Sequence, residues 1–399
     1  MKVLYFYQYF STPKGSWGTR VYEFCKEWVE QGHEVTVVTS IYSKSDLKAE
    51  KLIEEQIFDG IKVKVLNVYI DNKQSLVKRI WSFVKFCMLS SWYALTQKAD
   101  VVVASSGPLT VGLPGLIAKK IARRKLVFEV RDLWPGGAIE LGIIRNPTLI
   151  KLFRWFEKQC YKNADYIVGL SPGMVADIQK RYGYKNIESI TNSANLELFG
   201  TKQNAPLPDY FKDKKVAIYT GNIGVTNNSY LLFRAAQLLN EMGRHDIVIL
   251  LIGDGKQKEE LVKKAAEEGL TNFIVQGLMP KVDLVNYLQN SLVSLVTFTD
   301  TPVLSTVSPN KLYESLAAGV PVIQNTTGWL VGLLNENKCG YNVHPEDESD
   351  LVEKLLFLAD NPAEAAKMGE IGKQLAASEF DKKILAGRML KVLENVSAK

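Results

Sequence analysis

The stretch Ser308-Pro-Asn-Lys-Leu-Tyr-Glu-Ser-Leu-Ala-Ala-Gly-Val-Pro-Val-Ile323 puts an ammonium and a carboxylate one helical turn apart, at Lys311 and Glu314. Ser308 suits an N-cap, Pro309 the first helical position and Gly319 a left-handed stop, after which Pro321 cannot continue the helix. The pattern predicts a short helix and then a buried strand over residues 320–324. Helix starts attract phosphate through their exposed N–H groups. Counted from the cap, Glu314 lies ~9 Å along the axis at ~1.5 Å per residue. With a diphosphate at the helix start, Lys311 would neutralise charge and Glu314 would accept from two ribose hydroxyls. The same spacing is equally that of a surface ion pair at i,i+3.

Two other turns have glycines where a phosphate could approach the backbone: "YFSTPKGSWGTR", with Gly15 and Gly18, and "YTGNIGVTNN", with Gly221 and Gly224. Either is also simply a tight turn. Arg131 and Asp132 in "RDLWP" follow a strand pattern, and an aspartate there can orient or deprotonate a hydroxyl. It can as well cap the next turn. No G-x-G-x-x-G and no Walker sequence occurs, so neither a nicotinamide dinucleotide nor a P-loop is expected. No Asp-x-Asp clamp for a divalent ion is present, and no metal site is expected. With three histidines, His33, His245 and His344, no nucleophilic triad suggests itself.

These groups must be held by an α/β framework. Apolar runs such as "KVLYFYQY", "HEVTVVTS", "IKVKVLNV", "ADVVVASS", "KLVFEVRD" and "ADYIVGLS" alternate with helical stretches, and near-continuous apolar strands indicate a parallel sheet covered on both faces. A polar stretch with two prolines, "GTKQNAPLPDYFKDKK", reads as a linker. The alternation then restarts with "KVAIYTGN", "DIVILLIGDG", "NFIVQGL", "LVSLVTF", "GVPVIQN" and "CGYNV". Two Rossmann-like, doubly wound domains are predicted, with ligands bound beyond the carboxyl ends of the strands.

Composition bounds the rest. A chain of 399 residues exceeds one core, and 46% hydrophobic with 23% charged residues excludes disordered and fibrous classes. Residues 1–200 hold 28 Lys and Arg against 19 Asp and Glu; the remainder holds 21 against 24. A basic first half suggests an anionic partner. The aromatic and basic residues do not interleave as on a nucleic-acid platform, and no nucleic acid is expected. Cys25, Cys87, Cys160 and Cys339 are widely spaced and read as buried thiols of a reducing compartment. The start "MKVLYFYQYF" enters a strand directly and does not resemble a signal peptide. "IWSFVKFCMLSSWYAL", residues 80–95, is too short to span a bilayer and predicts a core-facing helix, with a membrane-interface helix as the alternative.

Taken together, "GHEVTVVTS", "VFEVRDLWP", "TNSANLELF", "YTGNIG", "LLIGDG", "IVQGLMP" and "SPNKLYESLAAGVPVI" resemble the retaining family 4 glycosyltransferases of the GT-B fold, in the WbuB-like branch that builds bacterial surface polysaccharides. The resemblance covers essentially the whole chain. It implies an acceptor-binding domain over 1–202 plus about 380–399 and a nucleotide-sugar-binding domain over 203–379. It implies an NDP-sugar donor (most simply UDP-linked), no cofactor and no metal. The acceptor would be a polyprenyl-diphosphate-linked saccharide, with the protein cytoplasmic or peripheral on the inner membrane. Glu314 matches the second glutamate of the family's Glu-x7-Glu motif and is expected on ribose. Asn310, Lys311 and Leu312 are expected along the diphosphate and sugar, Gly221 and Asn222 on the phosphates, and Gln276 and Leu278 beside the base. Gly15, Ser16, Trp17 and Gly18 match the first-domain loop over acceptor and donor, and Lys311, Arg131 and Asp132 are the catalytic candidates. Three positions depart from the family. Thr306 stands where the first glutamate would be, Asn222 stands where many members carry arginine, and Arg131-Asp132 stands in place of the first-domain histidine. A sugar-nucleotide epimerase of the same architecture and a non-catalytic nucleotide or nucleic-acid binder are the alternatives.

Overall fold

The computed structural model describes residues 1–71 and 74–398. The chain divides into two compact units. The first comprises Met1–Thr191, Thr306–Ser308 and Lys382–Lys399; the second comprises Asn192–Ser305 and Pro309–Asp381.

In the first unit β1 (Lys2–Phe6), β2 (Glu34–Tyr42), β3 (Ile53–Phe58), β4 (Ile61–Ile70), β5 (Val101–Ser106), β6 (Lys125–Val130), β7 (Tyr166–Gly169) and β8 (Ile187–Ser189) form one sheet in the order β3-β4-β2-β1-β5-β6-β7-β8. All neighbours are parallel except β3 and β4. Every residue of β5 is buried, as its unbroken apolar run requires with both faces covered. Neither β3 nor β8 was predicted. β3 reads "IEEQIF", has no fully buried residue and sits at the sheet edge; β8 has only three residues. An edge hairpin strand needs no apolar face and leaves little pattern.

The helix Arg20–Glu30 packs on this sheet and against the final helix, Lys382–Ser397. Leu385, Ala386, Met389 and Leu393 of that helix join Trp28 in the core, and the Trp28 indole N–H donates to the Ala386 carbonyl at 2.9 Å. The last turns of the chain therefore help to bury the first helix.

The second unit carries β9 (Lys215–Asn222), β10 (Ile247–Asp254), β11 (Phe273–Gln276), β12 (Val293–Val296), β13 (Val322–Gln324) and β14 (Gly340–Asn342). They form a wholly parallel sheet in the order β11-β10-β9-β12-β13-β14. The stretch predicted as a linker is tied down here. Gln203 N–H donates to Gln289 Oε1 at 3.0 Å, and Asn286 Nδ2 donates to the Ala205 carbonyl at 3.0 Å. Its polarity reflects side-chain partners within the unit.

Deep in the first sheet β6 buries one carboxylate, Glu129, which is 0% exposed. Arg20 Nε lies 3.0 Å from Oε1, the Tyr5 hydroxyl donates to Oε2 at 2.8 Å, and Ser105 Oγ donates to the same oxygen. Burial alone would raise this carboxyl, but Arg20, Arg131, Ser105 and Tyr5 together hold it below its ordinary range. We predict that Glu129→Gln destabilises the protein in urea by roughly 3–5 kcal/mol, the cost of stranding a buried charge. Because the folded-state pKa is depressed, Glu129 contributes fully above its unfolded pKa and loses that contribution as pH falls through the folded value. The gap between wild type and variant should therefore narrow in acid.

Candidate active site

The motif at 308–323 folds one residue later than predicted. Pro309 holds the N-cap position, the helix runs Asn310–Ala317, and Ser308 is not the cap. A prolyl φ of −76° with extended ψ of 133° fits a residue that turns the chain into a helix. The far end matches the expectation: Gly319 adopts φ 71°, its N–H donates to the Leu316 carbonyl at 3.0 Å, and Val320 N–H donates to the Ser315 carbonyl at 3.0 Å.

Neither charged residue is on the surface. Lys311 is 8% exposed and Glu314 7% exposed. Lys311 Nζ stands 3.6 Å above the Tyr219 ring and 5.7 Å from that of Phe298, and it has no hydrogen-bond partner among the described residues. Burial drives its pKa well below the ordinary lysine range, with Glu314 opposing the shift and Lys281 adding to it. Glu314 is instead held by a residue the sequence did not single out. Lys281 Nζ lies 2.6 Å from Oε1 and 2.8 Å from Oε2. Lys281 opens the helix Lys281–Gln289, and only its place two residues after "GLM" hinted at it. Tyr219, also unforeseen, lies within β9 and reads as core in the sequence.

Gly221 sits beside this lysine. Its φ of 138° lies in the region that favours glycine, and a Cβ there would stand 3.3 Å from Lys311 Nζ. A Cβ on Gly253 would meet the Gly221 carbonyl oxygen at 1.8 Å, so β9 and β10 approach closely where their strands end. Asn222 ends β9; its Nδ2 donates to Asn227 Oδ1 at 3.1 Å and its carbonyl accepts from the Tyr219 hydroxyl at 2.7 Å. Asn310 begins the helix, while Leu312 is 0% exposed, so its side chain belongs to the core. Gln276 ends β11 and donates through Nε2 to the Tyr210 hydroxyl at 2.5 Å; Leu278 is 40% exposed. Thr306 groups with the first unit, where Ser171 Oγ donates to its carbonyl at 2.5 Å.

The second unit thus assembles Lys311, Gly221, Tyr219, Glu314 and Lys281 into one cluster. A cation without a hydrogen bond beside an open backbone glycine is a setting for an anion.

The first-unit candidates form two groups. In the loop before the first helix, Thr12 N donates to Asp46, which follows β2, at 2.9 Å, as do Thr12 Oγ1 at 2.6 Å and Ser11 Oγ at 3.2 Å. Ser16 N–H donates to the Lys44 carbonyl at 2.9 Å. A Cβ on Gly15 would stand 2.1 Å from Ser11 Oγ, so this cinched loop needs its glycine; Gly18 is buried. Trp17 donates to the Tyr7 hydroxyl at 3.4 Å and packs edge-on to Tyr42 at 5.0 Å.

At the end of β6 the Arg131 guanidinium lies 4.9 Å over the Tyr7 ring and 3.7 Å from Glu129 Oε2, and its Nη1 has no hydrogen-bond partner among the described residues. Asp132, next along, is exposed and does not cap the following helix. The sequence did not single out Glu129, although a lone acid inside "LVFEV" was the available signal.

Two family profiles match this framework. Residues 15–192 match that of the glycosyl transferase 4-like domain, and residues 203–375 that of glycosyl transferases group 1. O-antigen chain mannosyltransferase C of Escherichia coli is 24% identical over 264 residues, covering 64% of this chain and 66% of its own length. The chain therefore spans just under two thirds of that relative. Among solved structures, sucrose-phosphate synthase from Thermosynechococcus elongatus superposes with a TM-score of 0.75 at 16% identity, over 100% of this chain and 99% of that one. Anabaena Alr3699/HepE, in complex with UDP and glucose, gives 0.71 at 15% identity, over 99% of this chain and 100% of its own. These likenesses show the fold, two parallel-sheet Rossmann-like domains. With two glycosyltransferase profiles lying one after the other along the sequence and the expected pair of sheets present, the chain belongs to the GT-B glycosyltransferases.

Proposed function

We propose that the protein transfers a sugar, with retention, from a nucleoside-diphosphate sugar to a lipid-linked saccharide in the building of a surface polysaccharide, as members of the WbuB-like branch do. One observation carries the donor half of this reading: the Lys311 ammonium is buried against Tyr219, lacks a hydrogen bond and stands next to Gly221. A diphosphate supplies the missing acceptors, and the start of the helix Asn310–Ala317 adds its dipole. The same lysine meets the charge that would otherwise fall to the arginine absent at Asn222. Glu314, with both oxygens ordered on Lys281, is set to accept from a ribose. The HepE complex with UDP and glucose and the mannosyltransferase relative support a nucleotide-sugar donor.

On this reading the bond between the anomeric carbon and the diphosphate oxygen breaks as the acceptor oxygen bonds to that carbon on the same face. The hydroxyl proton passes to the departing diphosphate, whose growing negative charge Lys311 stabilises. The first unit supplies the acceptor groups: Asp132 to orient the incoming hydroxyl, Arg131 for an anionic group, and the Gly15–Gly18 loop with Trp17 for the saccharide. An amino-sugar donor and a UDP base remain within the proposal.

We predict that nucleoside-diphosphate binding takes up a proton. Lys311 has a depressed pKa when free, and a bound diphosphate raises it, so affinity must fall as pH rises between the two values. Calorimetry of UDP and GDP binding in buffers of differing ionisation enthalpy should show this uptake, and Lys311→Met should abolish it. Binding without proton exchange at any pH would remove Lys311 from the site. Lys311→Met should also lower kcat by about 100- to 1,000-fold, as loss of one transition-state donor does. Its thermal midpoint should hold or rise, since a buried amine without a hydrogen-bond partner is replaced by an apolar side chain.

Lys281→Ala should behave differently. By freeing the Glu314 carboxylate it should raise the donor KM about tenfold with little change in kcat. An unchanged KM would deny Glu314 its ribose role.

A further inference from the structure

We infer that the first unit docks on an anionic phospholipid bilayer through a face built by three helices. The segment over residues 80–95 is expected to turn an apolar side to the core, and it does so, but a second apolar side faces outward. In the helix Leu76–Thr96, Phe86, Cys87, Ser90 and Ala94 are buried, while Val77, Ile80, Trp81, Val84, Met88 and Trp92 recur every three or four residues on the outside. Trp81 is 68% exposed, Met88 70% and Trp92 64%. This helix packs against Gly112–Lys120, which packs in turn against Pro147–Asn163. That third helix leaves Leu149, Leu152 and Trp155 exposed, with Ile121 exposed between. Soluble surfaces seldom hold so large an apolar area without a partner.

Charge identifies the partner. Lys78, Arg79 and Lys85 lie on the first helix, which has no acidic residue. The third helix carries Lys151, Arg154 and Lys158, and its one acid, Glu157, is buried on Arg181. A second copy would set this basic face against itself. Anionic headgroups instead meet the lysines and arginines while tryptophan and methionine enter the acyl boundary. No helix among the described residues is long and apolar enough to cross a membrane, so the contact lies in the interface plane. The inference rests on the proposed transfer only for its purpose, bringing the protein to an acceptor carried by lipid.

The test is co-sedimentation of the full chain with phosphatidylcholine vesicles, with and without phosphatidylglycerol. Wild type should pellet with the anionic vesicles, be released by salt and show a blue shift of tryptophan emission. The triple variant Trp81→Ser, Met88→Ser, Trp92→Ser should partition at least about tenfold more weakly. The charge variant Lys78→Glu, Arg79→Glu, Lys85→Glu should do the same with the apolar residues intact, so it decides the matter if the first variant fails to fold. Thermal midpoints and the UDP-induced shift of each variant report folding and the donor site separately. Wild type remaining in the supernatant, variants that pellet as well as wild type, or self-association that the triple variant abolishes would each overturn the inference. A protein that binds vesicles yet transfers no sugar would keep it and sink only the transfer.

Discussion

An ammonium in a buried site must be hydrogen-bonded, lose its proton or wait for an anion. Lys311 has an aromatic ring beneath it, a glycine beside it and no hydrogen-bond partner among the described residues, so burial draws it toward the second condition, from which an anion beside it would restore the proton. The neighbouring features follow from that constraint. Tyr219 provides a π face that tolerates positive charge without quenching it. Gly221 leaves backbone where a side chain would fill the space. Lys281 holds Glu314, which would otherwise pair with Lys311 as a surface i,i+3 neighbour does and spend its charge.

The strand ends are arranged to the same effect. β9 and β10 run parallel to their final residues, with Gly221 opposite Gly253 and a carbonyl where a Cβ on Gly253 would sit. Two backbones this near leave no space for a Cβ at Gly253. The first unit solves a different problem at its strand ends. There Glu129 is deeply buried and over-supplied with donors, and Arg131 is left with an unused guanidinium nitrogen over Tyr7. One unit isolates an amine by withholding its partner; the other gathers two cations around one carboxylate.

The outward face of the helix Leu76–Thr96 shows how one pattern can serve two environments. Heptad-like apolar spacing predicts burial, and half of this helix obeys it. The remaining apolar residues lie on the opposite side, so the helix is apolar nearly all round, with three cations between. Such a helix either sits within a large core or meets a non-aqueous surface. Its sheet covers only one side.

The sequence by itself determined the fold class, the restart of the α/β pattern after Phe199 and the glycine stop at Gly319, because parallel strands and helix caps leave local, periodic signatures. It also brought Lys311, Glu314 and Arg131 into view as chemistry-bearing residues. It did not reveal β3, whose edge position asks for no apolar face, or β8, which is too short to show a period. Tertiary structure alone decided that Glu314 belongs to Lys281, 33 positions away, that Tyr219 lies under Lys311, and that Glu129 anchors Arg20 across 109 residues. Those pairings join side chains from strands and helices distant in the chain, and no local periodicity encodes which of many lysines or arginines will arrive. It likewise decided which side of residues 76–96 meets the neighbouring helix, since spacing fixes the faces of a helix but only packing chooses which one is covered.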